Sequence, residues 1–141
     1  MLGRVGTAAA YAKLVEALTA DPRVRLLYAF GSTVHGTRGP LGDLDVAVLL
    51  ARRPSFEEEI DLRARVAQVE PEADLLVLNE APPALRFEVI TGGICLFARD
   101  EREQAEFEIT SLSRFLDLQP VRDVQREYLR ARVEARRGAA D

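Results

Sequence analysis

Asp43 and Asp45 are two carboxylates one residue apart, at the head of the apolar run Leu44-Asp45-Val46-Ala47-Val48-Leu49-Leu50. On a strand, residues two apart point to the same side, with Cβ atoms about 6–7 Å apart. At an effective dielectric near 20 the two charges repel by roughly 2–3 kcal/mol, falling below about 1 kcal/mol if both are fully wet. Two readings follow. The pair is either two solvated aspartates at the start of a strand, or a partly desolvated pair whose repulsion a bound divalent cation offsets. The remainder of the strand is apolar, so its mouth borders the core; this favours the cation, and hard oxygen ligands suit Mg²⁺.

A second element lies upstream, where Gly31-Ser32 directly follows the branched and aromatic run Val24 to Phe30. Glycine lets the backbone approach a ligand closely. Backbone N–H groups at the start of a helical turn, with the Ser32 hydroxyl, can bind phosphate oxygens. A lone Gly-Ser after a strand is more often an ordinary turn. Gly-Ser, ten residues, Asp, any residue, Asp is a rarer combination, expected by chance on the order of once per thousand chains of this length. A triphosphate held through divalent metal is the chemistry that it suggests.

The elements that must position these residues are legible from periodicity. Thr7 is the expected N-cap of a first helix carrying Tyr11, Leu14, Val15 and Leu18 at helical spacing, ended by Asp21-Pro22. Strands are expected over residues 24–30 and 44–50, the second central and covered on both faces. The glycines and proline at 36, 39, 40 and 42 make the stretch between them loop, with room for one helical turn after Ser32. Ser55 and Glu58 form a capping box for a helix with Leu62, Val66 and Val69 on one face, stopped by Glu70-Pro71. A third strand is expected over 74–78, a short helix from Pro83 to Ile90 ending at Gly92-Gly93, and a fourth strand over Ile94 to Phe97. From Glu101 a helix aligns Ala105, Ile109, Leu112 and Leu116; Pro120 interrupts it, and a last helix aligns Val121, Val124, Tyr128 and Ala131. Tyr128 is expected in the core. The order reads as an α/β or α+β domain closed by a C-terminal helical pair.

Bulk properties bound the rest. The 141 residues suit a single domain, with a core over 1–100 and the helical pair over 101–141. No run approaches the roughly 18 apolar residues of a membrane span. Nor does a long apolar segment follow Met1, so no secretory signal is expected and the cytoplasm is the expected location. The single Cys95 sits in an apolar run, which excludes an internal disulfide and a cysteine-based zinc site. A net charge of −4 argues against direct nucleic-acid binding. Arg122, Arg126 and Arg130 make a basic ridge on the last helix; such a ridge is usually a solvated face, and otherwise docks on an acidic partner or on RNA held by that partner. The apolar faces of the C-terminal helices exceed what so small a sheet needs, which suggests a protein partner.

Phe30-Gly31-Ser32 to Asp43-Leu44-Asp45 resembles the signature of the DNA polymerase β-like nucleotidyltransferase superfamily. Length and layout are most similar to its minimal nucleotidyltransferase (MNT) branch, the antitoxins of HEPN/MNT toxin–antitoxin systems. Asp74-Leu75-Leu76-Val77-Leu78-Asn79 is similar to the later strand that brings the third carboxylate in this superfamily. Pro82-Pro83-Ala84-Leu85-Arg86, the Gly92-Gly93 turn, the strand through Phe97 and the helix pair around Asp117 and Pro120 also resemble MNT antitoxins. Two positions depart from the pattern: His35 stands where relatives often carry Arg, and Gly42 where they carry Ser.

The resemblance implies a polymerase β-like core, a small mixed sheet flanked by helices. It implies metal ligation by Asp43, Asp45 and Asp74, and nucleotide contacts from Gly31 and Ser32, with His35 and the loop cation Arg38 able to reach the triphosphate. On its own, Asp74 reads equally as a strand-initiating residue facing water. The implied activity is Mg²⁺-dependent transfer of AMP from ATP to a tyrosine of a cognate HEPN ribonuclease toxin, which neutralises it. Two Mg²⁺ ions and a hetero-oligomer with the toxin are expected, with a homodimer for the chain alone. The alternatives are a non-catalytic antitoxin that binds stoichiometrically, and a nucleotidyltransferase acting on a small molecule such as an aminoglycoside.

Overall fold

Val24 to Phe30 and Leu44 to Leu50 form the two inner strands of a four-stranded mixed sheet. The computed structural model describes residues 2–31 and 44–140. Helix α1 spans Leu2–Thr19 and is followed by β1 (Val24–Phe30), β2 (Leu44–Leu50), α2 (Phe56–Val69) and β3 (Ala73–Val77). A 3₁₀ turn over Leu78–Glu80 leads into α3 (Pro83–Gly92), β4 (Ile94–Ala98), α4 (Glu101–Asp117) and α5 (Gln119–Ala140). The sheet order is β3-β2-β1-β4. β1 is antiparallel to both β2 and β4, and β2 is parallel to β3.

Alternation along the inner strands divides the core in two. Leu27, Val46, Val48, Leu75 and Val77 face α1 and α2, where Leu14, Leu18, Leu62 and Val66 cover them. Leu26, Tyr28 and Ala47 face the opposite way, against Val89 of α3, Leu78 and the ring of Phe107. Both faces of β2 are thus covered, as its unbroken apolar character requires.

The capping box of α2 forms as expected: the Glu58 amide donates to Ser55 Oγ at 3.1 Å and the Ser55 amide donates to Glu58 Oε1 at 3.0 Å. The first helix differs from expectation. It begins at Leu2, so Thr7 lies inside it rather than capping it; a glycine penalty of about 1 kcal/mol is too small to halt a helix that runs on into an alanine-rich segment. On α4, the residues turned to the sheet are Phe107, Glu108 and Ser111, while Ile109 and Leu116 are more than 60% exposed. Polar Glu108 is accommodated because the buried Tyr28 hydroxyl donates to it at 2.8 Å, a pairing that apolar periodicity does not register. Burial first, and then Glu108, raise the Tyr28 phenol above its usual range, so it stays the donor. Tyr128 is 61% exposed on α5, not in the core, and Val124 and Leu129 are exposed with it.

One corner is tied by charge. Arg23 donates to Asp21 through Nε at 3.0 Å and Nη2 at 2.6 Å, and its Nη1 donates to Glu58 at 2.7 Å. Arg65 of α2 adds a contact to Asp21 at 3.3 Å. Asp21 is nearly fully buried, and the Arg23 hydrogen bonds hold its carboxyl down at about 2 from an ordinary 3.8. A carboxyl depressed in the folded state stabilises above its unfolded pKa, and that contribution fades as pH falls through about 2. Asp21→Asn should therefore lose on the order of 2 kcal/mol at pH 7. In denaturant titrations, the gap to wild type should close as the pH is lowered from 4 toward 2.

Candidate active site

The end of the sheet where β1 finishes and β2 and β3 begin gathers the described members of the sequence motif. Phe30, the last residue of β1, is the register partner of Asp45. Asp45 is in turn the partner of Asp74 across the parallel β2–β3 pair. Directly opposed residues of parallel strands share a face, so the two carboxylates sit side by side on neighbouring strands about 4.8 Å apart. Like charges opposed in this way destabilise a sheet unless something positive meets them. Asp45 is half-buried and Asp74 is exposed. The pair therefore has a shielded member and an open one.

Gly31 closes the cluster. Its φ is +85°, in the region that favours glycine, and a Cβ there would collide with Asp45 Oδ2. The Asp45 carboxylate is thus lodged against the backbone where β1 turns away. Gly93 does a similar service from the far side. A Cβ on it would meet the carbonyls of Val89 and Ala29 and the Phe30 side chain, so α3 and β4 join tightly behind the end of β1. In the sequence Gly92-Gly93 reads only as a helix stop; nothing local signals its contact with β1.

Of the expected site residues, the structure brings together Gly31, Asp45 and Asp74. Ser32, His35, Arg38, Gly42 and Asp43 lie outside the described residues, as does the helical turn expected after Ser32. Among the described residues no group of three metal-ligating side chains occurs. Two opposed carboxylates beside a glycine turn nonetheless form an all-oxygen donor set of the kind hard divalent cations take.

A mixed sheet with helices on both faces, a strand ending in a glycine turn and paired carboxylates on the next two strands define a nucleotidyltransferase core. The chain belongs to the polymerase beta nucleotidyltransferase family, which it matches over residues 12–102. Protein adenylyltransferase MntA of Shewanella oneidensis is 29% identical to it over 102 residues, 72% of this chain and 73% of that protein. Among solved structures, a toxin–antitoxin with AMP-PNP superposes with a TM-score of 0.75 at 27% identity, over 84% of this chain and 96% of that one. An MNT antitoxin in complex with the tri-AMPylated HEPN toxin of Shewanella oneidensis superposes with a TM-score of 0.72 over 87% of this chain and 98% of that one. Its identity is 24%, a likeness of fold. No helix among the described residues is long and apolar enough to cross a membrane.

Gly31→Ala tests the packing at the turn. The added methyl group must displace either the Asp45 carboxylate or the backbone, and a shift near 1 Å at a reacting centre costs about a hundredfold in rate. The variant should stay folded by circular dichroism while losing nucleotidyl transfer by that order.

Proposed function

We propose that this chain is an antitoxin nucleotidyltransferase that transfers AMP from ATP to a tyrosine of a cognate HEPN ribonuclease toxin and so neutralises it. The observation that carries the proposal is the Asp45–Asp74 opposition beside Gly31. Its support is the family membership and the likeness to a named protein adenylyltransferase and to toxin–antitoxin structures.

In this reading Gly31 and Ser32 hold the β- and γ-phosphates through backbone N–H groups and the serine hydroxyl, and His35 and Arg38 reach the triphosphate from the loop. Asp43 and Asp45 hold the metal that accompanies the triphosphate; Asp74 joins them at a second. When bound, two Mg²⁺ ions supply positive charge at the entering and leaving oxygens of an in-line displacement. The protein contributes position and charge. Asp74 is the exposed member of the pair and Asp45 the half-buried one. The tyrosine oxygen bonds to the α-phosphorus as its proton is released, the bond to the bridging oxygen breaks, and pyrophosphate leaves. The reaction fits a chain that works in the cytoplasm, where ATP is plentiful.

One observation favours a second contribution, from stoichiometric contact. Ile109, Leu116, Val124 and Tyr128 leave apolar side chains exposed on α4 and α5, where a toxin can be engaged without chemistry. The two contributions separate in one experiment. Purified protein, toxin, Mg²⁺ and ATP labelled at the α-phosphate should place label on the toxin. Asp45→Asn and Asp74→Asn should each lower the rate by roughly 10²–10³-fold yet still co-purify with the toxin. EDTA should abolish labelling. Neutralisation of the toxin by wild type with no label on it would sink the enzymatic reading, and label on a small amine alone would redirect it to another acceptor.

A further inference from the structure

A second cluster of chemistry lies far from the carboxylates, beyond the other end of β3. Between the 3₁₀ turn, the first turns of α3 and the middle of α4 there is a cavity of about 210 Å³, lined by Asn79, Glu80, Arg86, Ser111 and Arg114 among others. Asn79 lies five positions along the chain from Asp74. At about 3.3 Å per extended residue this places the cavity roughly 15 Å from the Asp45–Asp74 pair. A triphosphate bound at Gly31 does not reach it.

The lining is charged in one direction. Arg86 donates Nε to the Leu78 carbonyl at 2.9 Å and Nη2 to the Asn79 carbonyl at 2.8 Å, which fixes its guanidinium over the Phe107 ring at 5.5 Å. Those two bonds use part of the fork, and its Nη1 edge donates to nothing among the described residues. Arg114 makes no ion pair or hydrogen bond among the described residues. Glu80, the one carboxylate in the lining, is engaged by Arg53. Burial first, and then the charge of Arg114, push Arg86 below its ordinary value, so the two guanidiniums feel each other without compensation. Asn79 is spent as well: its amide group donates to the Leu50 carbonyl and accepts from the Leu50 amide, both at 2.9 Å.

Ser111 stands at the cavity wall but is 1% exposed, and its hydroxyl, without a hydrogen-bond partner among the described residues, is closed to solvent. The donors left to a ligand are therefore the two guanidiniums.

We propose that this cavity is an oxyanion site that takes a phosphate group, as inorganic phosphate or as the phosphate end of a small monoester, between Arg114 and the unused edge of Arg86. Charge selects the ligand class. Two guanidiniums with no free carboxylate between them match a dianion, whereas a single carboxylate leaves half the charge unmet. Size agrees: the volume is below the roughly 300 Å³ at which pockets for drug-sized ligands begin, so the phosphate enters and any larger body stays outside. Because the donors come from α3 and α4, an occupied site clamps these helices together.

Titration of the uniformly ¹⁵N-labelled full chain with inorganic phosphate, at constant ionic strength, tests the assignment. Saturable shifts are expected at the Arg86, Ser111 and Arg114 amides, with glucose 6-phosphate as a second arm to distinguish a monoester from the free ion. Arg114→Gln should weaken binding by about tenfold. Arg114 is exposed and has no partner among the described residues, so its replacement leaves the fold intact. Acetate should give no comparable saturable shifts. Shifts confined to Gly31 and the starts of β2 and β3, equal binding by Arg114→Gln, or equal shifts with acetate would each overturn the proposal.

Discussion

β2 must keep register with two neighbours at once, antiparallel to β1 and parallel to β3, and the site exists because one residue satisfies both. Asp45 pairs with Phe30 on one side and with Asp74 on the other. Side chains alternate with a period of two, so a slip of one residue in either pairing would turn one carboxylate onto the opposite face. Burial of Val46, Val48 and Leu50 against α1 and α2, and of Ala47 toward α3 and α4, prevents that slip. The hydrophobic core therefore sets the geometry of the two carboxylates.

The same register creates an electrostatic burden. Two opposed carboxylates, one shielded, sit where the sheet gains least from them. The surrounding fold packs closely around the pair: Gly31 turns in the left-handed region hard against Asp45, and Gly93 lets α3 and β4 close behind Phe30. Stability is drawn from elsewhere, notably the Asp21–Arg23–Glu58 corner that ties the end of α1 and the start of β1 to α2.

Away from the site, the helical face of the molecule is finished differently on its two sides. α3 packs on α4 through the stacked rings of Phe87 and Phe115, 3.9 Å between centroids and 12° apart. α5 adds little to the core, and Val124, Tyr128, Leu129 and Val133 remain open on it. An amphipathic helix with its apolar residues in water is a surface awaiting another chain. This accords with the toxin–antitoxin assemblies among the solved structures that the chain resembles.

Much of this was legible in the order of residues. Strand and helix boundaries follow from hydrophobic period and from punctuation by Asp21-Pro22, Ser55, Glu70-Pro71 and Gly92-Gly93, because those signals act over a few neighbouring residues. Thr7 was misleading for the same local reason, since a cap signal competes with whatever the next turn prefers. Gly31, Asp45 and Asp74 were also readable as candidate site residues, Asp74 through family resemblance alone. Their juxtaposition was not, because cross-strand register depends on the core that both strands share. Nor was the inward face of α4 readable. Apolar periodicity pointed to Ile109 and Leu116, but the buried Tyr28 hydroxyl needed an acceptor and drew Glu108 inward. Sequence by itself determined the elements and the chemical types at their ends. Tertiary structure alone decided which carboxylates face each other and which apolar stripe stays in water, because both depend on partners distant in the chain.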